Sequence, residues 1–393
     1  MSSIRDLFVP ASFEKDEIIK REYRTFQSLA TCSFTEYSNI TIPISGSDLL
    51  VNLHESYIVL KGEFIADKKG KLIDRNAYLG LFQEIKLTIN ARVVDTLRHA
   101  NVASTMMGLA LNDANDYSLY AAGWDDANLK DNKFQVYIPL KSVLGIANTY
   151  TGYLLASDIQ LELIRSGNFL NCIVADEIGK NKLTLTSVTW RVPTVILEDR
   201  VKLSVLKKVS ADEPIHVSYR SWDVHTMALP TDTKNIRWVI RSAPYEERPR
   251  YILFAFQTGR ENNIIQDASL FDHANIRNFC VLLDNVRYPD ECMNVNFTKR
   301  EIHPVFLSYV NFKSAYLEGA SNRPYLNLSQ FSKSPLFCVD LRFSQEEIQR
   351  AAVNISLDLE SSQNFDPDTI IYAILVFDRS IAYYPLTKRV AIS

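Results

Sequence analysis

From Phe34 onward, apolar and polar residues alternate in short runs separated by turns, the pattern of half-buried strands. Glu36-Tyr37-Ser38-Asn39-Ile40-Thr41-Ile42-Pro43-Ile44 is β-branched and partly alternating, and after a turn at Ser45–Asp48 a second alternating stretch covers Tyr57–Ile65. Residues 82–97 read as a strand pair broken at Asn90-Ala91, and strands are expected again over 134–140, 158–164, 183–192 and 195–206. The second half repeats the plan over 215–227, 236–241, 251–258, 276–283, 336–343, 353–359, 370–377 and 381–390. A short helix is expected near the middle of each half, over 98–111 and 304–317. Residues 14–30 also admit a helix, but their apolar positions hold no clean 3.6-residue period. No run of βαβ units appears, which disfavours a doubly wound α/β enzyme. Each half carries about eight strands in roughly two hundred residues, whereas a minimal sandwich turns every ~8–12 residues, so long loops must be threaded between the strands. The expected fold is all-β: two tandem eight-stranded sandwiches with long inserted loops and a few short helices. The expected division is an N-terminal arm, 1–35, a first domain, 36–208, and a second, 209–393, meeting at the polar, Pro-terminated stretch Lys207–Pro214.

Composition narrows the function. At 393 residues, with 47% hydrophobic and 23% charged residues, the chain is an ordinary folded protein able to bury a large core. A net charge of −3 excludes a strongly basic nucleic-acid-coating protein. Twenty Phe and 19 Tyr favour pleated surfaces, and 12 Gly are few for an enzyme built on glycine-rich phosphate loops. No segment reaches the roughly 18 apolar residues of a membrane span, and the start shows no basic region leading into an apolar run. The five cysteines (Cys32, Cys172, Cys280, Cys292 and Cys338) include no C-x-x-C pair, so reduced thiols are expected rather than a zinc or disulfide framework. Sequons begin at Asn39, Asn296, Asn327 and Asn354, a pattern short enough to arise by chance. In the arm, Arg5, Lys15, Lys20, Arg21 and Arg24 are balanced by Asp6, Glu14, Asp16, Glu17 and Glu22. It cannot neutralise phosphate as a clustered basic arm does, and docking along a neighbouring subunit is expected instead.

Catalytic signatures are missing. There is no G-x-S-x-G, G-x-x-x-x-G-K-[ST] or G-x-G-x-x-G, and the six histidines (His54, His99, His216, His225, His273 and His303) show no metal spacing. A loop-capping role is expected for His273 beside Asp272. The acidic residues Asp113, Asp116, Asp125 and Asp126 lack cation-loop spacing and read as a solvated loop. The pairs Lys68-Lys69 and Lys207-Lys208 read as solvated turn ends. No catalytic residue, metal or cofactor is assigned. Tyr117, Tyr120, Trp124, Tyr150 and Tyr153 cluster in long loops of the first half. Because interfaces enrich Tyr and Trp, these five are the candidate subunit contacts; the alternative, that they anchor loops on their own sandwich, stands beside it.

Several stretches resemble a known family in order and spacing. Arg248-Pro249-Arg250-Tyr251-Ile252-Leu253-Phe254-Ala255-Phe256-Gln257-Thr258 is followed by Ser269–Asn278 and then by Leu283-Asp284-Asn285-Val286-Arg287-Tyr288-Pro289. This succession resembles the double jelly-roll major capsid (hexon-like) proteins of Polinton elements and adintoviruses, including endogenous copies in invertebrate genomes. Asp284 stands where that hairpin usually has its first Asn. The first half matches more loosely, at Ile44–Leu53, at Leu81–Asn90, where Ala91 replaces the usual turn Gly, and at Val201-Lys202-Leu203-Ser204. The resemblance covers residues 34–392.

What it implies is a double jelly roll: two tandem eight-stranded jelly rolls forming a non-enzymatic major capsid protein. Such a protein assembles as pseudo-hexameric homotrimers into an icosahedral shell. The implied partners are further copies of itself and a penton or minor capsid protein, with no sequence-specific nucleic acid. The implied location is the virion, after synthesis in the host cytoplasm. Two other readings stand beside it: a domesticated host protein that forms only trimers, and a jelly-roll carbohydrate-binding or hydrolytic protein. Two finer expectations follow. The arm should be dispensable for folding while serving contacts between capsomers, and the uncharged segment Leu144–Leu155 should be covered either by a neighbouring subunit in the trimer or by its own subunit's loops.

Overall fold

A computed structural model describes residues 18–29, 34–45, 49–66, 70–124, 129–155, 158–177, 179–242, 248–320, 322–342 and 353–392. The expected alternation is realised as two sets of eight principal strands. In the first set these are β1 (Ile18–Gln27), β2 (Asn39–Ser45), β3 (Tyr57–Ile65), β4 (Phe82–Ile89), β5 (Arg92–Arg98), β6 (Lys133–Pro139), β7 (Asp158–Arg165) and β8 (Lys182–Leu197). In the second they are β9 (Ile215–Ala228), β10 (Asn235–Ser242), β11 (Tyr251–Thr258), β12 (Ile276–Leu283), β13 (Val286–Tyr288), β14 (Phe337–Asp340), β15 (Asn354–Ser361) and β16 (Thr369–Tyr383). Pairing orders the first set as β1-β8-β3-β6 in one sheet and β2-β7-β4-β5 in the other. The second set repeats this strand for strand, as β9-β16-β11-β14 and β10-β15-β12-β13. A 1-8-3-6 sheet paired with a 2-7-4-5 sheet is the topology of an eight-stranded jelly roll. The chain contains it twice.

Register follows from alternation. In β7, Ile159, Leu161 and Leu163 point inward, opposite Ile44, Ile42 and Ile40 of β2 and Ile89, Leu87 and Ile85 of β4, and all nine are buried. A slip of one residue would turn this apolar layer to water. β15 does the same in the second roll, with Leu357 between Trp238 and Val281 and Leu359 between Ile236 and Phe279. The hairpin between the fourth and fifth strands closes identically in both rolls. Asn90-Ala91 joins Ile89 to Arg92 and Asp284-Asn285 joins Leu283 to Val286, with all four turn residues at positive φ. This is the two-residue turn that matches strand twist.

Helices occupy the connections: α1 (Ala100–Leu111), α2 (Ser118–Ala121), α3 (Gly145–Thr149), α4 (Asp199–Ser210), α5 (His303–Tyr316) and α6 (Leu328–Lys333). Two expectations need correction. Residues 199–206 are the start of α4 and not part of a strand. Val201 and Val205, four apart, face inward, Asp199 lies in the first turn, and Lys207 and Lys208 lie in the last, as the helix dipole favours. The expected arm, 1–35, contains β1, which pairs antiparallel with β8 from Ile18↔Leu197 to Gln27↔Thr189. The first roll therefore begins ahead of residue 36. Ladder hydrogen bonds to β8 and the pairing of Lys20 and Arg24 with Glu22 (2.6 and 3.0 Å) hold a strand whose apolar pattern is too sparse to predict one.

The chain divides into two compact units. One comprises Met1–Asn101, Ser118–Trp222 and Asp378–Ser393; the other comprises Val102–Tyr117 and Asp223–Phe377. Within the first, the C-terminal stretch is tied in by Arg92 Nη1 donating to the Val390 carbonyl (3.0 Å) and by the Leu386 and Thr387 amides donating to Asp212 (3.0 and 3.2 Å). Within the second, Tyr309 Oη donates to the Leu109 carbonyl (2.6 Å) and Lys313 pairs with Asp113 (2.7 Å).

Candidate subunit-contact surface

The five aromatics singled out by sequence fall into two groups. Tyr117 and Tyr120 keep exposed rings, 73% and 47% accessible, whereas Trp124, Tyr150 and Tyr153 are buried within their own chain at 6%, 4% and 8%. The last three anchor local structure, leaving little ring area for another subunit. The loop around Asp125 and Asp126 lies outside the described residues.

Tyr150 and Tyr153 belong to the uncharged segment Leu144–Leu155, which lies inside the first unit. Leu144, Ile146, Ala147, Leu154 and Leu155 are buried as well. Leu154–Leu155 adds a short strand against Leu50–Val51. Hydrogen bonds reach the segment from several parts of the first unit. The Ile146 amide donates to Asp95 (2.9 Å), Asn52 Nδ2 to the Thr151 carbonyl (3.0 Å), Tyr150 Oη to the Tyr153 carbonyl (3.2 Å), and the Leu155 amide to Tyr383 Oη (2.9 Å). The apolar residues of the segment are buried within their own chain. Burial pushes the Asp95 carboxyl up to about 6, offset in part by the amides of Ile146 and Thr96.

The surface that sequence reasoning missed is the outer face of the sheet β1-β8-β3-β6. Tyr23, Arg191, Tyr57 and Tyr137, one from each strand, form a ladder across it. The Tyr23 and Tyr57 rings lie 6.4 Å apart, Tyr57 and Tyr137 6.3 Å, and the Arg191 guanidinium sits 4.8 Å from the Tyr23 ring centre and 6.0 Å from that of Tyr137. Tyr23 is 42% exposed, and Arg21 at the same end pairs with Glu55. Burial, with the neighbouring Tyr23, raises the pKa of the Tyr57 phenol, and Arg191 moderates that rise. A face of Tyr and Arg has the composition of interface centres. These residues are far apart in sequence, so only the strand order could reveal the ladder.

The remaining candidates have structural roles. His273 Nδ1 accepts from the Asn275 amide (3.0 Å) and its ring stacks on Phe297 at 5.0 Å, the loop-capping arrangement expected; burial lowers its pKa. Asp272 accepts from Arg260 (2.6 Å) and from the Thr258 amide (2.8 Å). Asp284, the departure from the hairpin pattern, accepts from the Asn354 amide (2.9 Å) and reaches Arg248 (3.4 Å), so an acidic residue has partners there. Asn327 caps α6 in a reciprocal capping box with Gln330. Cys172, Cys280 and Cys338 are buried free thiols, and burial pushes Cys172 up to about 12; Cys292 is exposed. Among the described residues, no three His, Cys, Asp or Glu side chains are grouped to hold a metal, and no helix is long and apolar enough to cross a membrane. Lys68-Lys69 and Cys32 lie outside the described residues.

Known proteins share this architecture. The PBCV-1 virus capsid, in a quasi-atomic description, superposes with a TM-score of 0.63 at 10% identity, covering 98% of this chain and 99% of that one. The mavirus major capsid protein matches at 0.52 and 9% identity over 94% of this chain and 90% of that one, and the Faustovirus major capsid protein at 0.57 and 7% over 95% and 92%. No curated protein matches by sequence. Residues 72–381 match the description "Double jelly roll-like domain". With two complete rolls in one chain and that match over most of its length, the protein belongs to the double jelly-roll-like domain family.

Proposed function

We propose that this protein is a non-enzymatic major capsid protein of the Polinton/adintovirus type, assembling as pseudo-hexameric homotrimers into an icosahedral shell. One observation carries the reading: a single chain holds two jelly rolls of identical strand order, alike over nearly its whole length to proteins that are capsid components. Three such chains around a threefold axis present six similar lobes, a block that tiles a closed surface. The division proposed for this role is a first roll extending to about residue 208 and a second from 209 to 393, with residues up to 35 supplying β1 and contacts between capsomers. Subunits meet through the exposed rings of Tyr117 and Tyr120 and the Tyr23–Arg191–Tyr57–Tyr137 ladder. Trimers then join through weaker contacts, whose repetition lets errors dissociate while the finished shell persists. A penton or minor capsid protein fills the remaining positions, and the protein, made in the cytoplasm, resides in the virion.

Native mass measurement tests the trimer. Three chains of 44.9 kDa should give a species of about 135 kDa at micromolar concentration, the stability expected of an obligate interface. A folded monomer under those conditions would overturn the proposal.

A further inference from the structure

A groove of about 600 Å³ lies on the outer face of the second roll's sheet β10-β15-β12-β13. Its floor is the outward row Arg237, Asp358 and Cys280, cross-strand neighbours on β10, β15 and β12. Arg237 is bound to Asp358 through two hydrogen bonds of 2.7 Å each, which leaves Cys280 as the floor's remaining reactive group. Past β13 the chain turns back alongside β12: the Met293 amide donates to Asn278 Oδ1 (2.9 Å) and the Val295 amide to the Arg277 carbonyl (2.8 Å). Cys292, on this return, and Cys280, on β12, both line the groove. Arg287, cross-strand from Leu282, donates from Nη2 to Cys292 Sγ (3.3 Å), while its buried Nε has no hydrogen-bond partner. Cys280 is buried and Cys292 exposed. One thiol is thus open to solvent reagents, and the second is largely shielded on the floor of the same groove.

We propose that Cys280 and Cys292 form a redox-active dithiol that closes to an intrachain disulfide in the presence of a small-molecule disulfide such as oxidised glutathione. Cys292, as thiolate, attacks one sulfur of the reagent, forming a mixed disulfide and expelling one glutathione thiolate. Cys280 then gives its proton to solvent and attacks Cys292 Sγ, forming the protein disulfide and expelling the second glutathione. The protein loses two protons and two electrons, and one glutathione disulfide becomes two thiols. Closure joins β12 to the segment after β13 and locks the hairpin between them, restricting the unfolded chain.

The test uses the full-length chain incubated with oxidised glutathione, followed by intact-mass analysis and peptide mapping under non-reducing conditions. The expected product has lost two hydrogens, carries no glutathione and yields a linked peptide pair containing Cys280 and Cys292. Cys292→Ser should abolish the reaction. Cys280→Ala should instead stop at a stable glutathione adduct on Cys292, and its unchanged far-UV circular dichroism would show that the fold survives. Arg287→Gln should slow the first step several-fold. Wild-type protein that accumulates a lasting glutathione adduct on Cys292, remains unmodified, or links through other cysteines would overturn the proposal.

Discussion

The two rolls have the same strand order but treat the outer face of the 1-8-3-6 sheet oppositely. In the second roll, β11 is buried along Tyr251–Gln257 and β16 along Ile371–Phe377; α5 lies against the Tyr251 end of β11, and Gln257 at the other end donates to the Ala268 and Leu270 carbonyls (2.8 and 3.1 Å). Tyr251 meets Phe312 at 5.2 Å and Tyr316 at 5.9 Å and donates to the Ala315 carbonyl (2.7 Å). In the first roll, β3 alternates: Ile58, Leu60 and Phe64 face inward while Tyr57 and Lys61 face out, and the ladder of Tyr and Arg takes the helix's place. Burying both faces turns a strand into a continuous apolar run; leaving one face wet preserves alternation. The second roll completes itself with its own helix, and the first presents a surface suited to a partner.

The largest effect is expected inside the first roll. Replacing Tyr150 and Tyr153 together with Asp puts two ionised groups into a buried part of the first unit, and should unfold it. Loss of cooperative thermal unfolding by circular dichroism would show this; a folded double mutant that is merely monomeric would return these residues to the interface. Next comes a paired test of the two outer faces. Phe312→Ala should cost about 3–5 kcal/mol, the toll of a large cavity under a covering helix, whereas Tyr57→Ala should cost about 1–2 kcal/mol from lost ring and cation contacts. Equal losses by denaturant titration would erase the distinction between the faces.

A third test concerns Asp95, which holds the first turn of α3. Its folded pKa of about 6 lies above the ordinary value of 3.8, so between about pH 4 and pH 6 the folded state keeps a proton that the unfolded state releases. Stability from this group is fully present below that window and lost as pH rises through it, by a change on the order of 3 kcal/mol. Asp95→Asn should flatten unfolding free energy across the window; an unchanged slope would assign it to other groups. The smallest effect compares the matched hairpins. Ala91 adopts φ 62°, where a Cβ is strained, so Ala91→Gly should stabilise by about 1 kcal/mol, read as a higher denaturation midpoint.

What the sequence revealed and concealed has physical causes. Strands with one wet face, such as β7 and β15, declare themselves by alternation, and the hairpins by their Asn and Asp turn residues. The helix α5 was visible over 304–317 because its apolar content and its Pro at the first turn agree. β1 was hidden because its charges pair with one another along the strand, erasing the apolar period. α4 was hidden because Val195–Leu206 is apolar enough to read as one strand; the spacing of Val201 and Val205 and the Asp199-to-Lys208 charge order were the available signals. Loop aromatics gave an ambiguous cue, since anchoring and association select the same residue types. Only burial separated Tyr117 and Tyr120 from Trp124, Tyr150 and Tyr153.

Electron microscopy of the purified, concentrated full-length protein tests the central claim most directly. The account predicts closed shells tens of nanometres across, built from threefold blocks of six-lobed outline. A chain that unfolds cooperatively yet stays a monomer, with no shells at any concentration, would contradict it.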